Sequence, residues 1–129
     1  MKKIFTLVCM LAPFFNYAQL NYPSYANLLS RINQFKGTQF AAVGSIGKSL
    51  SGENIPFIKI QHGDAPKPTL LLVAGIDGKH PAGVINSLDV VDRLLALPAD
   101  SLIQLLRNKS IWIVPLVNPD AYYRNSTTN

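Results

Sequence analysis

The chain has 129 residues, with 12 Lys and Arg against 7 Asp and Glu, a formal net charge of +5, and 48% hydrophobic residues. This length suits one small domain, and the composition excludes an intrinsically disordered protein. The positive charges are spread along the chain without a basic cluster, which argues against a nucleic-acid-binding protein.

Residues 1–19 have the pattern of a secretory signal peptide. Two lysines precede an apolar stretch at residues 4–12, and a short tail follows it. The apolar stretch is too short to span a bilayer, which takes about 20 residues. We therefore expect cleavage near Ala18, a secreted or periplasmic protein, and no membrane association after cleavage. A buried N-terminal helix is the alternative.

The single cysteine, Cys9, lies in this predicted leader. Residues 20–129 therefore hold neither a disulfide nor a thiolate metal site, and a cysteine nucleophile is excluded. Without the two lysines of the leader, the net charge of residues 20–129 falls to +3.

The first half of the remaining chain predicts a helix, a hairpin and a buried strand. Residues 24–35 carry apolar side chains at the spacing of one helix face, and Gly37 ends this helix. Residues 40–49 and 56–61 predict two strands that form a hairpin. Residues 69–74 are an apolar run without alternation, which is typical of an inner strand covered on both faces of an α/β sheet.

The second half predicts a crossover back to the sheet. Helices are expected at residues 81–97, where a proline fits the first turn, and at residues 100–107. Residues 110–116 predict another buried strand, and residues 118–120, Asn-Pro-Asp, a turn. A strand, a helix and a strand in this order form a right-handed βαβ unit. The predicted fold is α/β, with a mixed, mainly parallel sheet and flanking helices.

The apolar strand at residues 111–116 would lie at the edge of this incomplete sheet. Such an edge strand normally needs a neighbour. We therefore expect residues 20–129 to be the N-terminal portion of a longer catalytic domain.

The candidate site follows from the strand ends, because ligands of open α/β sheets bind beyond the carboxyl ends of the strands. The loop after residue 74 holds Asp77 and His80, three residues apart and accompanied by Gly75 and Gly78, which allow a sharp turn. Carboxylate oxygen and imidazole nitrogen are both good zinc donors. Asp77 and His80 are therefore the candidate metal ligands. The alternative is an ordinary Asp-Gly turn followed by a histidine at a helix entry.

Two donors do not complete a catalytic zinc site, which needs three protein ligands and an open position. His62 lies in a polar loop expected at the opposite end of the sheet. Glu53 is the only glutamate of the chain and falls in the hairpin turn, so no glutamate general base is available at the site. No residue of this chain is predicted to be catalytic, and the substrate-binding residues stay unassigned.

Two other groups of polar residues have simpler interpretations. Asp89 and Asp92 lie on a predicted helix and are expected to form a solvated face. Tyr122, Tyr123 and Arg124 follow the Asn-Pro-Asp turn, where they either line a pocket or are simply exposed.

Three blocks of sequence together resemble a known family. They are residues 47–60, which contain Gly-Lys-Ser-Leu-Ser-Gly and Ile-Lys-Ile; residues 74–83, Ala-Gly-Ile-Asp-Gly-Lys-His-Pro-Ala-Gly; and residues 113–120, Ile-Val-Pro-Leu-Val-Asn-Pro-Asp. In this order they resemble the N-terminal half of the zinc carboxypeptidases of the carboxypeptidase A type. The resemblance covers residues 25–123 and implies their phosphorylase/hydrolase-like fold.

The resemblance also implies a metal site, in which this sequence departs from the family's ligand pattern. The family has a His-x-x-Glu pair of zinc ligands in the loop after this strand, so Asp77 stands in place of the histidine and His80 in place of the glutamate. The resemblance implies one zinc ion, with a third ligand and a general-base glutamate that lie further downstream. It implies that zinc polarises the scissile carbonyl of a peptide substrate and that C-terminal residues are released.

We expect this chain to be inactive by itself, because it supplies only two of the ligands. Two alternatives stay open: a non-catalytic peptide- or glycan-binding relative, and an amino-acid deacylase on the same fold.

Overall fold

The computed structural model describes residues 22–127, so the predicted leader lies outside the described residues. No helix within residues 22–127 combines the length and the apolar character needed to cross a bilayer. The helices and strands follow in chain order as α1 (Tyr25–Gln34), β1 (Ala41–Lys48), β2 (Asn54–Ile60), β3 (Thr69–Val73), α2 (Ala82–Leu95), α3 (Ala99–Leu106), β4 (Ser110–Val114) and α4 (Pro119–Arg124).

The strands form one mixed sheet in the order β1-β2-β4-β3. β1 and β2 are the predicted hairpin, and β2 also pairs antiparallel with β4. β3 and β4 are parallel and are joined by α2 and α3, which is the predicted crossover. The mixed α/β sheet with flanking helices is thus confirmed, and its parallel pairing in residues 22–127 is that of β3 with β4.

Within residues 22–127, the two apolar strands take positions opposite to those predicted. β4 was expected at the edge, but it lies between β2 and β3. β3 was expected inside the sheet, but it is the edge strand in the described part, and all five of its residues are exposed. The apolar run indicates that a strand tends to be packed against other elements on both faces. It does not indicate where in the sheet the strand lies. The order is set by the crossover, which inserts β4 beside β2.

The core lies on one face of this sheet. Ile58 and Ile60 of β2 pair in register with Ile113 and Ile111 of β4, and all four side chains are buried. The three longer helices cover this face with buried side chains. These are Leu28 and Ile32 of α1, Val84, Leu88 and Val91 of α2, and Leu102 and Leu106 of α3.

An ion pair network joins α1 to α2. Arg31 donates to Asp89 at 2.6 Å and also to Asp92. The two carboxylate side chains are about half exposed, in agreement with the predicted solvated face, and in addition both pair with Arg31. They hold the two helices in register at the rim of the core.

Side-chain caps fix two helix starts. Ser24 Oγ accepts a hydrogen bond from Asn27 N at 3.2 Å, and Asn118 Oδ1 accepts one from Ala121 N at 3.1 Å. The predicted Asn-Pro-Asp turn is therefore the beginning of α4, with Pro119 in its first turn. Proline has no N–H that the start of a helix would leave unpaired, so the same tripeptide suits a turn and a helix start.

We expect Ile58→Ala to lower the free energy of unfolding by about 2–5 kcal/mol, because it leaves a cavity in the core. The control is Leu50→Ala in the hairpin turn, where the leucine is 87% exposed. Chemical denaturation measures both variants. Equal losses in the two variants would show that the core does not lie on this face.

Candidate metal centre

The two predicted strand ends lie side by side, because backbone hydrogen bonds join them. Ala74 N donates to Val114 O at 2.9 Å, and Val117 N donates back to Ala74 O at 3.0 Å. One step further, Asn118 N donates to Gly75 O at 3.0 Å. The loop after β3 thus starts directly beside the segment that leads into α4.

Two glycines let this loop pack against that segment, and they do so for different reasons. Gly75 has a φ of +67°, and a Cβ there would also lie 2.8 Å from Leu116 Cα. Gly78 needs space, because a Cβ there would lie 2.0 Å from Ala121 O in α4. Its N–H donates to Ser126 O at 3.0 Å. The sharp turn expected at both glycines is therefore a turn at Gly75 and a close approach at Gly78.

Asp77 and His80 contact each other on the outer side of the loop. His80 Nδ1 lies 2.5 Å from Asp77 Oδ2, and Lys79 N donates to Asp77 Oδ1 at 2.8 Å. These two hydrogen bonds, that of His80 first, lower the pKa of Asp77, so the carboxylate stays ionised. The side chain of Asp77 is 35% exposed and that of His80 is 78% exposed.

The donor types of this pair suit zinc, but the pair fills only part of a zinc site. A carboxylate oxygen and an imidazole nitrogen are available, whereas a catalytic zinc takes three protein ligands. Residues 22–127 contain no group of three His, Cys, Asp or Glu side chains that could hold a metal ion. Asp77 and His80 direct their facing atoms at each other and not at a common point.

The remaining histidine and the glutamate lie elsewhere. His62 follows the end of β2, where Ile60 pairs with Ile111 near the start of β4, so it lies at the opposite end of the sheet from the loop. Its ring is 6.1 Å from that of Phe40. Glu53, in the hairpin turn, accepts a hydrogen bond from the Tyr25 hydroxyl at 3.3 Å.

A cavity of about 500 Å³ lies beside the loop, with Gly78 and Pro81 in its lining. Tyr122 and Tyr123 both line it, although Tyr123 is also 76% exposed, so both interpretations apply to that residue. None of the lining residues is charged. The Tyr122 hydroxyl donates to Pro23 O at 2.7 Å and ties α4 to the start of the described chain. The complete lining is Tyr22, Pro23, Ser24, Tyr25, Ala26, Gly78, Pro81, Tyr122, Tyr123 and Asn125.

Asp120 is the polar residue of this region that the sequence analysis missed. It is only 3% exposed and accepts hydrogen bonds from Ser49 Oγ at 2.6 Å and Ser51 N at 3.1 Å. The Ser49 bond is the main reason that its pKa is lowered. Asp120 therefore joins the hairpin turn to the start of α4. These residues lie in two of the sequence blocks that carry the family resemblance, but a single sequence does not show that the two blocks are in contact.

We expect Gly78→Ala to destabilise the chain by about 1–3 kcal/mol, because the new methyl group has no room beside the backbone of α4. The matched control is Gly83→Ala in α2, where a Cβ meets nothing nearer than 3.9 Å. That change is expected to stabilise the chain by up to about 1 kcal/mol. Thermal or chemical unfolding measures both, and a tolerated Gly78→Ala would contradict the close approach.

We expect the free energy of unfolding of Asp120→Asn to fall less between neutral and acidic pH than that of the wild-type chain. The pKa of Asp120 is lowered in the folded chain. Its contribution is therefore complete above the ordinary value of about 3.9 and is lost as the pH falls through the lower folded-state pKa. Unfolding midpoints in denaturant, measured from neutral to strongly acidic pH, test this. Asp64→Asn, in an exposed loop, serves as the control and should lose as much stability in acid as the wild-type chain. If Asp120→Asn also loses as much as the wild-type chain, Asp120 does not contribute to the pH dependence of stability.

Comparison with known proteins points to one family. A family model described as zinc carboxypeptidase matches residues 28–129. A curated relative from Drosophila melanogaster, zinc carboxypeptidase A 1, is 28% identical over 88 residues, which are 64% of this chain and 20% of the relative.

Solved structures show the same fold. A carboxypeptidase A-like protein from Shewanella denitrificans superposes with a TM-score of 0.69 at 22% identity, over 80% of this chain and 27% of that protein. The carboxypeptidase A of Helicoverpa armigera gives a TM-score of 0.59 at 25% identity, over 78% of this chain and 25% of that protein. The chain thus spans about a quarter of the length of these solved proteins and a fifth of the curated relative.

Proposed function

Because the chain belongs to the zinc carboxypeptidase family, we propose that it forms the part of an exported zinc metallocarboxypeptidase that carries the metal-binding loop. The substrate would be a peptide, from which C-terminal residues are hydrolysed. The observation that carries the proposal is the position of a carboxylate, Asp77, and an imidazole, His80, side by side in the loop beyond β3 of a chain of this family. Export is supported by the signal-like pattern of residues 1–19.

The chain would contribute the first two zinc donors, with a third from outside the described residues. A bound zinc ion would polarise the scissile carbonyl of the peptide. As the two side chains stand, Asp77 contacts Nδ1 of His80, so the exposed imidazole would be the first donor through its other ring nitrogen, and Asp77 would be the second only after this contact opens. A carboxylate in that position orients a metal-binding imidazole and raises its basicity.

The proposed activity requires groups that this chain does not supply. A catalytic zinc needs a third ligand, and the single glutamate, Glu53, is held by Tyr25 in the hairpin turn. We therefore propose that the chain alone does not hydrolyse peptides.

A second candidate is a non-catalytic, peptide-binding relative that has lost its metal. Two observations favour it: Asp77 and His80 satisfy each other without an ion, and an uncharged cavity lined by tyrosines lies beside their loop. In such a protein, Asp77 and His80 would only stabilise the loop.

Zinc titration of the 129-residue chain distinguishes the two candidates. For the metal site we expect weak binding, with a dissociation constant above about 1 µM because only two donors are present. Asp77→Ala and His80→Ala should each weaken zinc binding by about tenfold or more. His62→Ala, at the opposite end of the sheet, is the control and should leave it unchanged. If neither loop variant alters zinc binding, the metal site is wrong and the non-catalytic candidate stands.

A further inference from the structure

Asn118 forms hydrogen bonds in two directions through the amide of its side chain. Its Oδ1 accepts from Ala121 N at 3.1 Å at the start of α4, and its Nδ2 donates to Ile76 O at 3.2 Å in the loop after β3. The backbone N–H of Asn118 also donates to Gly75 O at 3.0 Å in the same loop. A single residue thus joins the helix to the loop.

The two partners determine the orientation of this amide. Ala121 N can only donate and Ile76 O can only accept, whereas the amide offers one accepting and one donating group. A rotated amide would direct Nδ2 at an N–H group and Oδ1 at a carbonyl oxygen, and both hydrogen bonds would be lost. The nitrogen of the Asn118 side chain is therefore paired with the loop, and the oxygen with α4.

The bond to Ile76 O holds the loop directly before its candidate donors. Ile76 C=O and Asp77 N belong to the same peptide group, which is planar. A fixed carbonyl oxygen therefore sets the direction in which the chain enters Asp77. Since Gly75 has no side chain that could anchor this part of the loop, the two bonds from Asn118 position its backbone.

Capping of α4 accounts for only half of the bonding of the Asn118 side chain. Asn and Asp are about equally favourable at the N-cap of a helix, because each offers a side-chain oxygen to a backbone N–H. A carboxylate there also interacts favourably with the helix dipole. An aspartate would thus cap α4 equally well, whereas the bond to Ile76 O requires a donor on the same side chain.

From these bonds, we propose that Asn118 is a positioning residue of the metal-binding loop, residues 75–80. Its Nδ2 holds the peptide group before Asp77, so that this carboxylate and the imidazole of His80 stay beside α4. In this role Asn118 contacts neither the ion nor the substrate and acts only through the loop. The role rests on the proposed function, because it concerns how the candidate zinc donors are held, but the hydrogen bond can be tested without a metal.

The test uses Asn118→Asp, which has nearly the same size and shape. This variant keeps the oxygen that caps α4, but it replaces the donor by a second oxygen that faces Ile76 O. Asn118→Ser is a second variant without the added charge, because its hydroxyl caps the helix and is too short to reach Ile76 O. The matched control is Asn108→Asp, in the exposed segment between α3 and β4 at the opposite end of the sheet. Circular dichroism shows whether each variant is folded.

Amide hydrogen exchange of the 129-residue chain, measured without metal, reports on the loop. In the wild-type chain, Gly78 N donates to Ser126 O at 3.0 Å, and Lys79 N donates to Asp77 Oδ1 at 2.8 Å. Both Asn118 variants should speed the exchange of these two amides by about threefold to tenfold, which corresponds to the loss of one hydrogen bond.

The amide of Tyr122 separates an effect on the loop from an effect on the helix. It donates to Asn118 O at 3.2 Å within α4, and its exchange should stay at the wild-type rate in both variants. Unchanged exchange at Gly78 and Lys79 would overturn the proposal. Equal acceleration at Tyr122 would also overturn it, because Asn118 would then only stabilise α4. Asn108→Asp should leave all three amides unchanged.

Zinc titration tests whether the held loop matters for the ion. The added carboxylate of Asn118→Asp would by itself attract a cation and strengthen zinc binding. A released loop has the opposite effect, so we expect the dissociation constant of both Asn118 variants to rise by about threefold or more. Asn108→Asp should bind zinc like the wild-type chain. Unchanged or tighter binding by Asn118→Asp, in a chain whose His80→Ala variant binds more weakly, would overturn the proposal.

Failure of this role and failure of the proposed function give different results. If Asp77→Ala and His80→Ala leave zinc binding unchanged, the proposed metal site is wrong. Faster exchange at Gly78 and Lys79 in Asn118→Asp would then still show that Asn118 positions the loop. If the two donor variants weaken zinc binding and the exchange rates do not change, the metal site stands and the role of Asn118 is wrong.

Discussion

The parallel pairing of β3 with β4 is the constraint on which the rest of the site depends. It brings the end of β3 beside the end of β4, so that the loop after Ala74 and the start of α4 are bonded to each other. Gly75 and Gly78 then allow the loop to lie directly on Leu116 and Ala121. With a side chain at Gly78, the loop would have to lift from α4, and Asp77 and His80 would move with it.

A second connection holds the opposite side of the same region. Asp120 begins α4 and accepts hydrogen bonds from Ser49 and Ser51 of the hairpin turn. One short helix is thereby fixed by the antiparallel hairpin at its start and by the loop of the parallel pair along its side. The three sequence blocks that carry the family resemblance are the three segments that meet at this helix.

The sequence was sufficient to predict the elements and the loop, since both depend on local patterns. The apolar periodicity located α1 and the hairpin, and the apolar runs located β3 and β4. The order of the strands was not predictable, because an apolar run has the same pattern in the middle of a sheet as in β3, which is the edge strand of residues 22–127. The Asp77 and His80 pair was found from donor types and spacing. Their mutual contact depends on side-chain orientation, which spacing does not fix.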